Sequence, residues 1–178
     1  MPASTSRPAQ RPVSPLIARA STAERLAFPD GSTMTLLADS SATGEKLSVH
    51  HTTLRDGASG ASPHHHAIVA EVFYVLRGKA RLLVGDELIE AGVGDLAVVP
   101  PGVAHAFAAA PGHDADLLVA VTPGIERFDL FRHFEQVMAG REPPGSAFTD
   151  QSRYDTYPDI SDIWDQSREP TSTTEETR

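Results

Sequence analysis

The sequence predicts an all-β sandwich or barrel followed by one or two helices. Three observations predict it. Short runs rich in Val, Leu and Phe recur between residues 33 and 121, Gly and Pro punctuate the gaps, and the apolar period turns helical after Pro123-Gly124. Short strands at such spacing build sandwiches or barrels rather than βαβ units.

Taken in order, the strand-like runs are Thr33–Leu37, Lys46–Leu54, Ile68–Leu76, Ala80–Val84, Glu87–Glu90, Leu96–Val99, Ala104–Ala109 and Leu117–Val121. Gly85-Asp86, set between Leu82-Leu83-Val84 and Glu87-Leu88-Ile89, is a two-residue hairpin signal. Gly57, Gly60, Gly78, Gly92, Gly94-Asp95, Pro100-Pro101-Gly102 and Pro111-Gly112 mark the other turns. Beyond Pro123, Ile125, Phe128, Phe131, Phe134 and Met138 recur at helical spacing, and Gly140 is placed to end that helix. Its aromatic face is expected to lie on the barrel. A further apolar cluster (Tyr154, Tyr157, Ile160, Ile163, Trp164) either covers the barrel or meets a partner subunit.

This reading divides the chain into an N-terminal extension (1–20), a barrel (30–123), a helical segment (124–165) and a tail (166–178). Residues 1–15 hold four prolines among Ser, Thr and Ala. Such a segment buries too little apolar surface to offset its ordering entropy, so it is expected to be disordered, and Ser167–Arg178 likewise.

Composition narrows the function. Fifteen Lys plus Arg against twenty-four Asp plus Glu give a net charge of -9, which disfavours nucleic acid and anionic membrane as partners. Residues 150–178 carry eight acidic and three basic side chains, a net of -5, so the acidity reads mostly as a property of the tail. With no cysteine, disulfides, thiolate metal sites and a cysteine nucleophile are excluded. No apolar run approaches the about 18 residues of a membrane span, and MPASTSRPAQRPVSP lacks the apolar stretch of a secretory signal. A cytoplasmic protein is expected. GxGxxG, P-loop, GxSxG and HExxH signatures are absent.

Six of the eight histidines fall between His50 and His105. Alternation on a strand points His64 and His66 the same way and His65 the other. Glu71 opens the next run, and Pro100-Pro101-Gly102 feeds His105 onto another. Neutral imidazole and carboxylate together suit one divalent transition metal: Fe, Mn, Co, Ni, Cu or Zn. His113 in a Pro-Gly turn and His133 on the polar side of the helix read as surface groups. His50 and His51 share a strand, so one of them faces inward.

These residues carry a resemblance. The sequence resembles the cupin superfamily, whose motifs read G-x5-H-x-H-x3,4-E-x6-G and G-x5-P-x-G-x2-H-x3-N. Here His64-x-His66, four residues, Glu71, six residues and Gly78 match the first motif. Gly94, five residues, Pro100-x-Gly102, two residues and His105 match the second. Two positions depart: Gly57 and Gly60 are both out of register with the opening glycine, and Ala109 replaces the final Asn. The resemblance implies a six- to eight-stranded cupin jelly-roll barrel with one or two C-terminal helices. It implies metal ligands at His64, His66, Glu71 and His105, and a homodimer. Among small bacterial cupins the likeness is to quercetin-type (flavonol) dioxygenases. That implies an oxygenase taking dioxygen and a small aromatic or enolizable substrate, with Glu71 both ligand and catalytic proton acceptor. Phe73, Val75, Val99, Phe107 and His51 are the expected pocket residues. The alternatives are a non-redox isomerase, lyase or cyclase, and a non-catalytic small-molecule binder.

Overall fold

A computed structural model describes residues 14–168. The two expected disordered ends fall largely outside these residues. Ten strands form two antiparallel layers that share one long strand. They are β1 (Glu24–Ala27), β2 (Thr33–Ala38), β3 (Ser48–Leu54), β4 (Ser59–His65), β5 (Ala70–Val84), β6 (Glu87–Gly92), β7 (Leu96–Val99), β8 (His105–Ala109), β9 (Ala115–Thr122) and β10 (Tyr157–Pro158). A short helix α1 (Ser40–Thr43) follows β2. After β9 come α2 (Phe128–Met138), α3 (Gln151–Tyr154) and, beyond β10, α4 (Asp162–Arg168). This is a jelly-roll barrel.

The runs expected at 68–76 and 80–84 are one strand. The first half of β5 pairs with β9 and β7, and its second half with β6 and β8. Gly78 is the corner between them. Its φ is +71°, and a Cβ there would stand 1.9 Å from the Asp114 carbonyl oxygen, so only glycine fits. β1, β4 and β10 lack the apolar alternation of the other strands; the expected runs omit them, although the alternation of His64 and His66 presumes a strand where β4 ends. The sheet therefore begins before residue 30, and the segment after 124 returns a strand to it.

Inward side chains of both layers form the core, with Leu54, Phe73, Val75, Leu82, Val99, Phe107, Leu117 and Val119 in contact. A second cluster closes one end of the barrel, where Phe131 of α2 packs with Leu26, Met34 and Leu36. No side chain at its own N-terminus caps α2. Asp39, distant in sequence, supplies the cap instead: its carboxylate accepts from the N–H groups of Arg127 and Phe128, each at 3.0 Å. Trp164 of α4 covers the outside of the barrel against Leu83, Ala106 and Ala108. That settles the late aromatic cluster in part, for Ile160 stays exposed. No helix among the described residues is long and apolar enough to cross a membrane.

Candidate metal centre and its cavity

Three strands bring the site together. β4 delivers His64 and, just past its end, His66; β5 delivers Glu71; β8 opens with His105. Antiparallel register sets His64 opposite His105. The Pro100-Pro101-Gly102 turn is tied to the same place, since Gly102 N–H donates to the His66 carbonyl at 2.7 Å. His65 points away as alternation requires, stacking on Tyr157 and bonding Asp159 at 2.7 Å.

His64, His66, Glu71 and His105 are all buried, and one donor atom from each lies within 4.8 Å of the others. Glu71 Oε2 is 2.9 Å from His105 Nε2, 3.5 Å from His66 Nε2 and 3.9 Å from His64 Nε2. Every Nδ1 faces a backbone carbonyl: Ser62 for His64 (2.9 Å), Asp155 for His66 (2.5 Å) and Val103 for His105 (2.9 Å). A carbonyl only accepts, so each Nδ1 carries a proton and each Nε2 faces the Glu71 carboxylate. Donors on an octahedral ion with bonds of about 2.1 Å stand about 3–4 Å apart, so the residues fit a divalent metal.

The electrostatics agree. Burial holds His64 neutral, its pKa lowered to about 3 against the opposing pull of Glu71. Burial alone would raise Glu71. The hydrogen bonds of His105 and His66 and the charge of Arg127 outweigh it, holding the carboxyl well below the usual range.

Arg127, from the turn that leads into α2, is a functional residue the sequence did not reveal. It is 6% exposed, and its Nη1 donates to Glu71 Oε1 at 3.1 Å. Oε1 is thereby engaged, and Oε2 is left to the imidazoles. Asp155 is the second such residue. Its carboxylate accepts from the N–H groups of Ala67 (2.9 Å), Ile68 (2.8 Å) and Val69 (3.0 Å), while its carbonyl orients His66. Part of the acidic segment thus belongs to the site, which corrects the assignment of that charge to a tail.

A cavity of about 390 Å³ opens beside the cluster, reaching His64 and Glu71. Phe28, Met34, Leu54, Phe107, Leu130 and Phe131 make its walls mostly apolar. Of the expected pocket residues, Phe107 lines it. Phe73, Val75 and Val99 do not: they are packed in the core behind, with Phe73 backing His105 at 6.1 Å between ring centroids. His51 is on the outward face of β3, and His50 takes the inward place. The alternating burial of β3 decides between them.

Residues 50–121 match a family model described as Cupin domain. None of the curated proteins compared matches the chain. Several solved structures share its fold. A predicted oxalate decarboxylase from Thermotoga maritima is 21% identical, over 60% of this chain and 98% of that one, with a TM-score of 0.53. A sugar phosphate isomerase of the cupin superfamily from Silicibacter pomeroyi is 23% identical over 60% and 75%, TM-score 0.52. Streptomyces PAC13, a nucleoside dehydratase solved with uridine, is 18% identical over 65% and 88%, TM-score 0.50. At these identities the likeness is one of fold.

Proposed function

We propose that this cupin barrel is a metal-dependent enzyme acting on a small molecule held in the cavity beside His64, His66, Glu71 and His105. The observation that carries this reading is the convergence of three Nε2 atoms and one carboxylate on a single buried point, with every Nδ1 anchored from behind. A divalent transition metal held there supplies Lewis-acid chemistry and, where redox-active, oxygen chemistry. The named activities of the solved relatives, a decarboxylase, an isomerase and a dehydratase, support an enzyme over a passive binder.

An oxygenase on an aromatic or enolizable substrate is the leading reaction, because the walls are chiefly aromatic and aliphatic and such walls exclude water from the reacting atoms. Arg127 and the imidazoles favour the charged form of Glu71, which suits it better to the ligand role than to accepting a proton. Phe107 and Phe131 shape the space the substrate occupies. The second reading is a non-redox isomerase, lyase or cyclase. The polar patch of His50, Thr52 and Arg127 on one wall favours it, since such groups polarise a carbonyl without electron transfer. Two copies are proposed to pair through the outer face of β5 and β7, where Tyr74, Leu76, Leu96 and Val98 stand exposed.

Metal analysis of untagged protein, followed by oxygen-electrode traces with flavonols and other enolizable aromatics, separates the reactions. Bound Fe, Co or Ni with oxygen uptake supports the oxygenase. Zinc alone, with no uptake after reloading with redox metals, moves the assignment to the non-redox enzyme. His105→Ala at full metal occupancy would refute the ligand set.

A further inference from the structure

The cavity holds a cation whose donors are not all used. Arg127 is buried and fixed in place: its backbone N–H is bonded to Asp39, and its guanidinium lies 5.3 Å from the Phe131 ring centroid. One nitrogen, Nη1, serves Glu71. Nε is buried without any partner. The Phe131 ring also packs on His50, at 4.7 Å, so the imidazole is beside the guanidinium. Two residues along the same inward face of β3, the Thr52 hydroxyl is likewise buried and unpartnered. All of these side chains line one cavity.

We infer that Arg127, with Thr52 and His50 beside it, is the anchor for a carboxylate, so that the ligand of this cavity is a small monocarboxylate with an apolar or aromatic body. The inference rests on the cavity being the substrate site and deepens that reading. Buried donors without acceptors cost free energy that a ligand oxygen restores. A guanidinium presents its N–H groups in a plane that a carboxylate matches, and its charge strengthens each bond. Glu71 supplies an acceptor to Nη1 only. The other carboxylates on the lining are engaged elsewhere: exposed Asp30 accepts from Ser32 N–H, and Asp159 pairs with His65. Few donors converge here, which suits a singly charged carboxylate rather than a phosphate. The rest of the wall (Phe28, Met34, Leu54, Phe107, Leu130) receives the apolar body.

Calorimetric titration of the full chain, metal-free and zinc-loaded, with benzoate, benzyl alcohol and phenyl phosphate tests this. Benzoate is expected to bind about ten-fold tighter than benzyl alcohol. Arg127→Gln should erase that preference while leaving benzyl alcohol within about two-fold. Arg127→Lys keeps the charge without the fork and should retain part of the preference; Thr52→Val should weaken benzoate alone. The lysine and valine variants carry the test if Arg127→Gln unfolds. Equal binding of benzoate and benzyl alcohol to the wild type, or a preference that survives in Arg127→Gln, overturns the inference. Phenyl phosphate binding tighter than benzoate overturns the carboxylate assignment. Zinc uptake measured on the same samples separates the two readings. Full uptake without a benzoate preference overturns the anchor and leaves the metal centre standing. A preference without uptake supports the anchor and removes the metal.

Discussion

Replacing Asp155 tests whether the C-terminal segment builds the metal centre or only covers it. The carboxylate accepts from three successive N–H groups at residues 67–69, and the Val69 N–H is fully buried with it. Hydrogen bonds to a charged group contribute about 1.5–3 kcal/mol each when buried, and less where water can substitute. Counting the Val69 bond in full and the two part-buried bonds at about 1 kcal/mol each gives about 4 kcal/mol for Asp155→Ala. The backbone adds to this, because residue 155 has φ +46°, a conformation that Asp tolerates better than Ala. Asp155→Asn keeps one acceptor oxygen and should lose about half as much. The alanine side chain leaves the 155 carbonyl in the chain but removes what holds it against His66 Nδ1. Metal affinity should therefore fall by about ten- to a hundred-fold, the usual effect of losing the group that orients a ligand. Urea denaturation of the metal-free protein measures the first effect, and competition with a chromophoric chelator the second. A variant within about 0.5 kcal/mol of wild type that retains its zinc affinity would show that the segment is only a cover.

Other substitutions read other parts of the argument. Gly78→Ala puts a Cβ into the Asp114 carbonyl at a positive φ, so the urea midpoint should drop by the equivalent of at least about 3 kcal/mol; a smaller loss would mean the β5 corner can relax. His50 has its pKa lowered to about 3, first by burial and then by the charge of Arg127. The unfolded chain takes up its proton near pH 6.5 and the folded one only near pH 3, so stability falls with acidification across that window. His50→Leu should flatten the slope of stability against pH by about 1.4 kcal/mol per unit between pH 6 and 4; parallel slopes from urea titrations would show that His50 is charged in the fold. Leu96→Lys places a charge on the proposed pairing face, and light scattering should show a wild-type dimer become a monomer. A monomeric wild type would remove that interface.

The buried cluster of His64, His66, Glu71 and His105 was legible because its spacing is local physics. Alternation along a strand turns His64 and His66 to one side, and a Pro-Pro-Gly turn delivers His105 to the start of the next. Inwardness along β3 was half legible: alternation says that one of His50 and His51 faces the cavity, and the folded strand's burial pattern gives that place to His50. The same limit separates Phe107 from Phe73. Both are aromatic, inward and buried, yet only Phe107 lines the cavity, whose wall is assembled from segments far apart in sequence.

Arg127 and Asp155 illustrate a different kind of illegibility. Arg127 meets Glu71 across 56 residues of sequence, and Asp155 meets the 67–69 backbone across 86 to 88. In the sequence each is one more charge in a polar stretch. Summing charge over residues 150–178 averages a carboxylate holding three N–H groups with others that face water. The two kinds differ only in burial, and burial of a charged side chain is a property of chain closure rather than of composition. A charge that survives burial must have its partners waiting. For Asp155 all of them are backbone N–H groups, which any sequence supplies. For Arg127 the partner in hand is Glu71 of the buried cluster, and its Nε has none among the described residues. An unmatched donor on a guanidinium this deeply buried is hard to explain as a device for stability, since an apolar side chain would fill the same space at lower cost. It is easier to understand as one half of an interaction that a ligand completes.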